Sequence, residues 1–471
     1  MLKHNLFIAS ICCLIALGCG NNTNTATTKE AANKKEMNDA EVQQLAKEAY
    51  VHCFPIFENY KGIYFYGVEK RSPKYAPMNS ITRETKLYTP NDKLVVSPNN
   101  DTYYSTGILD VGPQPVIIQV PESKERYYVI QLVDMVTNNF AYIGVNTTGR
   151  KGGRYAITGR GFSGELPQGV VQIKSPSRFI IFAGRTAVNA ESPQDIAAAR
   201  KLQDQFKVGG IGSFYPGYAD VKTDSIAFIP PKESDNSNEQ FFNRVNFLLQ
   251  FTTLSKDDQA IVDKFKAIGI DAGKPYDFLL AHPTYTNALL KGIAEGKTIV
   301  DSLGAHIGKK VNGWNLAPLA KEYFGTNYNL RTGYARKAIY ANTPTEAYYP
   351  SAGEDADGQP LHGNNNYTIT FPAGKLPPCK FFWSITMYDN ANQLLADNAL
   401  RRYSIGDRTK GVKLNADKSL TIYIGNKRPS AGTSNWLPAP PTGFNVMMRV
   451  YGPKEEVLNG SWEPPYIKME K

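Results

Sequence analysis

Cysteine is scarce in this chain. There are five, and Cys12, Cys13 and Cys19 fall within the first nineteen residues. The other two, Cys53 and Cys379, are too few for a disulfide framework. A bridge between them is one option outside the cytoplasm; isolated buried thiols are the expectation. No CxxC pair exists, which excludes a structural zinc site of the usual spacing. The five histidines are scattered and none forms HExxH. No run beyond the leader is apolar enough to cross a bilayer. The net charge of +10 comes from dispersed basic residues without a nucleic-acid-binding motif. Nucleic acid is therefore not an expected partner, whereas anionic headgroups or acidic glycans are. Gly296-Lys297-Thr298 looks like the end of a phosphate loop, but Gly292 is one residue too close and the tract reads as helix. Gly161-Phe162-Ser163-Gly164 has its second glycine misplaced for a nucleophile elbow. Glu354 to Gly358 lacks the spacing of a calcium loop and reads as an acidic turn. No metal or cofactor is implied by these motifs.

What is present begins with the leader. Lys3, the apolar run Leu6 to Leu17, and Gly18-Cys19 follow the plan of a secretory signal. The small residue before a cysteine resembles a bacterial lipoprotein signal, with Ala16 in place of the usual leucine. That resemblance implies a signal peptide over 1–18, cleavage before Cys19 and a lipid on Cys19. Residues 19–39 hold no aromatic residue and read as a flexible tether. The expected location is the cell envelope, on the periplasmic face or the outer membrane, with the lipid as the membrane attachment.

Beyond the tether the hydrophobic period changes twice. Ala40 to about Val68 repeats at helical spacing, with Pro55 as a kink or break. From Leu94 to about Phe182 the period is two. Strands are predicted at Val95-Val96, Pro115–Val120, Tyr127–Val133 and Phe179–Phe182. Ser192-Pro193 starts a helix by N-cap and N1 proline. The middle reads as helices over 240–251, 255–268, 285–307 and 331–340. From Asn366 the period returns to two, with strands at 367–371, 381–388, 420–424 and 444–450. The fold class is α+β. Two antiparallel β-sandwich-like domains are expected at 40–230 and 346–471, with a helical segment at 231–345.

The last block carries the most specific text. It includes Asp357-Gly358, Pro360-Leu361-His362-Gly363, Phe382 to Asp389, Arg402-Tyr403, Asn435 to Pro440 and Arg449 to Pro453. This set resembles the domain of unknown function 1214. Ser97 to Ser105, Asp110, Arg126-Tyr127-Tyr128 and Thr148-Gly149-Arg150 resemble its companion, the domain of unknown function 1254. His362 and Lys418 depart from the usual pattern in turns. The resemblance implies two paired β-rich domains and supplies no activity, so function is argued from sites.

Two polar clusters stand out. Asn99-Asn100-Asp101, followed by Tyr103, Tyr104 and Ser105, either closes an Asx turn or binds a sugar or a metal. Arg126 and Arg150 add cations nearby in sequence, and Gly149 to Arg154 is either an anion nest or a solvated hairpin. In the last block Trp383, Arg402, Tyr403, Trp436 and Arg449 combine rings with guanidiniums. At period two, Trp383 and Tyr388 face opposite sides of their strand. Arg449 lies in an apolar strand and is expected to need an acid, Asp389 or Asp407. The expectation is one cleft between the β blocks. It would hold a small polar, carbohydrate-like or anionic ligand on Asp101, on Arg126 or Arg150, and on at least one of Trp383, Tyr403 and Trp436. The alternative is a hydrolase or lyase using Asp101 for acid–base chemistry. Sequence does not specify the oligomeric state.

Overall fold

The computed structural model describes residues 36–93, 97–219, 221, 225–318 and 324–470. The leader, Cys19, the tether up to residue 35 and the strand expected at Val95-Val96 lie outside these residues.

Helix α1 (Asp39–Gly67) continues through Pro55, where the sequence predicts a kink or break. Proline lacks the N–H that would bond the carbonyl four residues back. That carbonyl, Val51 O, accepts instead from Thr332 Oγ1 at 2.9 Å. A side chain from another helix fills the missing bond.

The first β block contains β1 (Thr82–Arg83), β2 (Thr102–Asp110), β3 (Val116–Val120), β4 (Tyr128–Val133), β5 (Asn139–Gly144), β6 (Gly153–Thr158), β7 (Val170–Lys174) and β8 (Phe179–Ala187). Helix α2 (Pro193–Gln203) follows, capped by Ser192 as predicted, and then β9 (Lys207–Gly210). The strands form two sheets, β1-β2-β8-β4-β5 and β7-β6-β3-β9. Leu109, Ile130 and Phe182 from the first sheet meet Ile118 and Ile157 from the second in one core. The pairing is antiparallel except for β6 with β7.

The helical segment supplies α3 (Gln240–Leu249), α4 (Lys256–Phe265), α5 (Phe278–Ala281) and α6 (Thr286–Ala305). After β10 (Lys309–Val311) and β11 (Trp314–Leu316) comes α7 (Tyr328–Lys337). Helices α3, α4, α6 and α7 pack against α1. Gly292 and Gly296 lie on α6 where a Cβ would collide with α1. This packing explains the glycines of the tract that looked like a phosphate-loop ending.

The second β block adds β12 (Ala347–Tyr348), β13 (Ser351–Ala352), β14 (Tyr367–Phe371), β15 (Cys379–Asp389), β16 (Ser404–Gly406), β17 (Leu420–Gly425), β18 (Trp436–Pro438) and β19 (Phe444–Pro453). A short α8 (Glu455–Leu458) and β20 (Ile467–Met469) close the chain. One sheet runs β10-β11-β13-β19-β15-β16, with β12 also on β19; the other runs β18-β17-β14-β20. Their shared core includes Trp383, Ile385, Met387, Val446, Met448 and Val450. Those residues alternate along β15 and β19, so the intervening residues, among them Ser384, Thr386, Tyr388, Arg449 and Tyr451, face the other way. Trp383 and Tyr388 therefore lie on opposite faces, as period two requires. The first block does the same on β8: Ile180 and Phe182 enter its core, and Arg185 and Ala187 face out. The two outward faces meet at a seam whose apolar centre includes Tyr127, Val129, Phe382 and Tyr451.

Candidate functional site

The Asn99–Asp101 turn is the clasp of this seam. It closes on itself first: Asp101 N–H donates to Asn99 Oδ1 at 2.7 Å, an Asx turn. It then reaches across to the second block. Ser97 is left-handed at φ 50°, with its N–H donating to Gln393 O at 2.8 Å. Tyr388 Oη donates to Pro98 O at 2.7 Å, and Asn99 Nδ2 donates to Tyr451 Oη at 2.7 Å. Asp101 is 4% exposed. Its carboxylate accepts from Ser384 Oγ at 2.6 Å and from Arg408 Nη2 at 3.3 Å. The Arg408 guanidinium also lies 3.6 Å from the centre of the Phe382 ring.

Beside the clasp is a recess of about 70 Å³. The first block contributes Asn100, Asp101, Asn189 and Glu191 to its wall; the second contributes Trp383, Ser384, Tyr403 and three arginines, Arg401, Arg402 and Arg408. The volume admits a charged or hydroxylated group rather than a whole sugar ring. Three guanidiniums face two carboxylates, so the recess has a positive balance. Arg402 Nη1 holds the carbonyls of Thr433 and Trp436 at 2.6 and 3.0 Å, which positions it in the wall. Glu191 Oε2 accepts from Lys410 N–H at 2.9 Å.

The structure brings Asn100, Asp101, Trp383, Arg402 and Tyr403 to one recess and leaves other candidates elsewhere. Arg126 forms a bidentate pair with Asp195 at 2.6 and 3.0 Å. Arg150 is exposed, in the connection between β5 and β6, which crosses from one sheet to the other rather than forming a hairpin, and it donates to Ser123 O at 3.3 Å. Trp436 gives its indole N–H to Gly425 O at 2.9 Å and supports the second sandwich. Arg449 has neither of the expected acids. It donates to Thr386 Oγ1 at 2.7 Å, to Tyr388 Oη at 2.6 Å and to Ser97 O at 3.3 Å. Neutral oxygens on its own sheet and on the clasp take the place foreseen for Asp389 or Asp407. Tyr104 is opposite Arg185 in the β2–β8 register, with the guanidinium 5.4 Å from the ring centre.

Arg401 and Arg408 of the recess, and Arg185 and Tyr349 elsewhere on the facing sheets, did not stand out in the sequence. Arg185 carries the signal that marked Arg449, an arginine inside an apolar strand. Tyr349 carries none, since tyrosine is an ordinary strand residue.

Two other cavities are present. A cationic groove of about 510 Å³ lies along Arg83, Arg154 and Lys207. A larger, mainly apolar cavity of about 620 Å³ is walled by Leu303, Leu316, Leu330, Val457 and Trp462. Its size suits a small ligand. However, its wall at Pro318 runs into residues outside the described set, and none of the polar groups of the seam lines it. Among the described residues no cluster of acids, histidines and cysteines could hold a metal ion, and Cys53 and Cys379 are free thiols.

The fold and seam define an α+β protein of two facing β-sandwiches joined at a seam with an apolar centre and a polar clasp. The family described as "Protein of unknown function (DUF1254)" matches residues 78–209, and "Protein of unknown function (DUF1214)" matches 346–455. The chain carries both, in that order. The VPA0106 protein from Vibrio parahaemolyticus has a crystal structure similar to this one, at 28% identity and a TM-score of 0.72. The match covers 91% of this chain and 100% of that one. A putative uncharacterized protein from Burkholderia cenocepacia matches at 11% identity and a TM-score of 0.42, over 90% and 88% of the two chains. A search of curated proteins returns no match.

Proposed function

We propose that this protein is an envelope lipoprotein, anchored through Cys19, that binds an anionic group of a polar, carbohydrate-like ligand at the Asp101 recess. The observation that carries this reading is the set of three arginines converging on a small recess built by both β blocks. A guanidinium binds carboxylate or sulfate in bidentate fashion, and partial desolvation strengthens the contact. The volume sets the scale: the recess takes the charged group, and the remainder of the ligand lies along the surface by Tyr403 and Arg401. Glu191 gives the hydrolytic alternative a second carboxylate on the same wall. Binding is favoured because Asp101 already accepts bonds from Ser384 and Arg408 on its two oxygens.

The test is a thermal-shift titration of the full chain with oligogalacturonate, a polyanionic sugar. A saturable rise in melting temperature is expected, since a ligand at about a hundredfold its Kd adds roughly 2.7 kcal/mol. Arg401→Gln should weaken the response. No rise at millimolar ligand, or an equal rise in the variant, would overturn the assignment.

A further inference from the structure

Buried arginines elsewhere in the chain hold an aspartate. Arg331 holds Asp258 at 2.7 Å and Arg244 holds Asp235 at 3.2 Å; the half-buried Arg178 likewise holds Asp110 at 2.8 Å. Arg185 and Arg449 are equally buried, at 6% and 3% exposure. Neither has a carboxylate within ion-pair distance among the described residues. Arg185 donates to Gln131 Oε1, Asn342 Oδ1 and Tyr340 O, at 2.8, 3.2 and 2.9 Å. The partners of Arg449, given above, are also neutral.

The two arginines come together through Tyr349. Ala347 pairs with Tyr451 and Tyr348 with Val450, so the antiparallel register carries Tyr349 to the level of Arg449. Tyr349 Oη accepts from Asn342 Nδ2 at 2.7 Å, and Asn342 Oδ1 is the acceptor for Arg185. Tyr349 thus stands between the two guanidiniums. Burial pushes its phenol up, and both Arg185 and Arg449 act to bring it down. Tyr104 covers Arg185 from β2. Tyr104 and Tyr349 are only partly buried. Asp101 acts on Arg449 through space but has given its oxygens to Ser384 and Arg408.

We propose that the seam encloses a site for one small oxyanion or carboxylate between Arg185 and Arg449, with the hydroxyls of Tyr104 and Tyr349 as further donors. The reason is energetic. An unpaired buried cation costs several kcal/mol, and a chain that pairs its other buried arginines leaves these two together. Each guanidinium has five N–H groups, and the bonds above use three on each. An anion would meet charge-assisted donors in a low-dielectric space, where such bonds are strongest. Free sulfate, phosphate and the carboxylate of a small metabolite share this chemistry. The inference does not rest on the recess: Arg185, Arg449 and Tyr349 do not line it.

The test uses the full chain, dialysed into a buffer free of oxyanions and carboxylates and titrated with sulfate, phosphate and acetate. At least one probe should raise the melting temperature saturably and above the effect of matched ionic strength. Arg401→Gln should keep that response, which separates this site from the recess. Arg185→Met and Arg449→Met should each weaken the probe on the order of tenfold or more. Without anion, Arg449→Met should be no less stable than the native chain, because an uncompensated charge has been removed. If the methionine variants do not fold, selenate soaked into crystals of the native chain gives the second readout. An anomalous peak between the two guanidiniums supports the site, and a peak elsewhere or none overturns it. No response to any probe, or a response unchanged in both variants, also overturns it.

Discussion

In the helical layer, Arg331 lies on Asp258 with both carboxylate oxygens engaged, at 2.7 and 3.2 Å, and His52 Nε2 lies 3.1 Å from the same acid. At the seam, Arg185 and Arg449 lie among amides, hydroxyls and carbonyls. The chemistry of the cation is the same, and the surroundings differ in charge. A guanidinium on an aspartate has its electrostatic demand met inside the protein, and that cluster ties α1, α4 and α7 together. A guanidinium on neutral oxygens is held in place without an ion pair, and the acids that act on it, Asp101 on Arg449 and Glu346 on Arg185, do so only through space. The first arrangement contributes to stability when complete; the second keeps a capacity to bind.

The largest expected effect tests the helical side. Arg331→Met would leave the buried Asp258 carboxylate with only a neutral histidine and the Ser255 hydroxyl beside it. Breaking a buried pair from one side costs about 3–5 kcal/mol. Urea denaturation should show a loss of this size. A loss below about 1 kcal/mol would mean that the cluster is not a closed pair and that the contrast with the seam is one of geometry alone.

The next test uses pH, where the two regions have opposite signs. Burial alone would raise the Asp258 carboxyl, but the contacts from His52 and Arg331 hold it well below the usual range. Burial lowers the pKa of His52, outweighing the aspartate beside it. Both folded-state values are depressed. The His52 contribution is therefore complete above its unfolded value near 6.5 and is lost as pH falls below it. The Asp258 contribution is lost only in stronger acid, below about 4. At the seam, burial pushes the Glu346 carboxyl up against the bonds it accepts from Tyr127 and Asn146. Its penalty is relieved as pH falls toward the unfolded value near 4.3. Burial also raises the Asp134 and Asp407 carboxyls to about 6, and their penalty is relieved in the same direction as that of Glu346. The His52 contribution is therefore read as a difference: from pH 7 to 5 the native chain should lose stability relative to His52→Gln, by at most about 1.4 kcal/mol per pH unit for one proton. A difference that does not change with pH would remove His52 from the account.

Much of this architecture was legible in the residues. Period-two runs marked the long strands of both blocks, and 367–371 matches its strand at both ends. Alternation also separated Trp383 from Tyr388, because strand geometry alone decides it. The clasp was legible as a turn, since asparagine and aspartate after proline close on themselves locally. Its second role was not, because Ser384, Arg408 and Tyr451 lie hundreds of residues away in sequence. Arg449 shows the limit most clearly. Its burial followed from Met448 and Val450 beside it, yet its partners came from the facing strand and the clasp. Sequence neighbours pointed to an acid where the fold supplied hydroxyls. Pro55 failed for the same reason: local rules predict a kink or break, and Thr332, far along the chain, provides the donor that keeps the helix whole.

That donor gives the smallest expected effect and a further contrast between the regions. Thr332 is fully buried and its hydroxyl donates to Val51 O. Valine matches threonine in shape, so Thr332→Val removes the donor with little change in packing. The carbonyl would then lack both its helical partner, removed by Pro55, and its substitute. A typical hydrogen bond contributes about 1 kcal/mol, and a buried acceptor left alone costs about 1–3 kcal/mol. The expected loss is therefore roughly 1–2 kcal/mol in urea denaturation. Pro55→Ala restores the helical N–H. In that background Thr332→Val should cost clearly less, because Val51 O has a partner without it. Equal losses in both backgrounds would show that Thr332 acts through packing, and the continuity of α1 across Pro55 would need another cause.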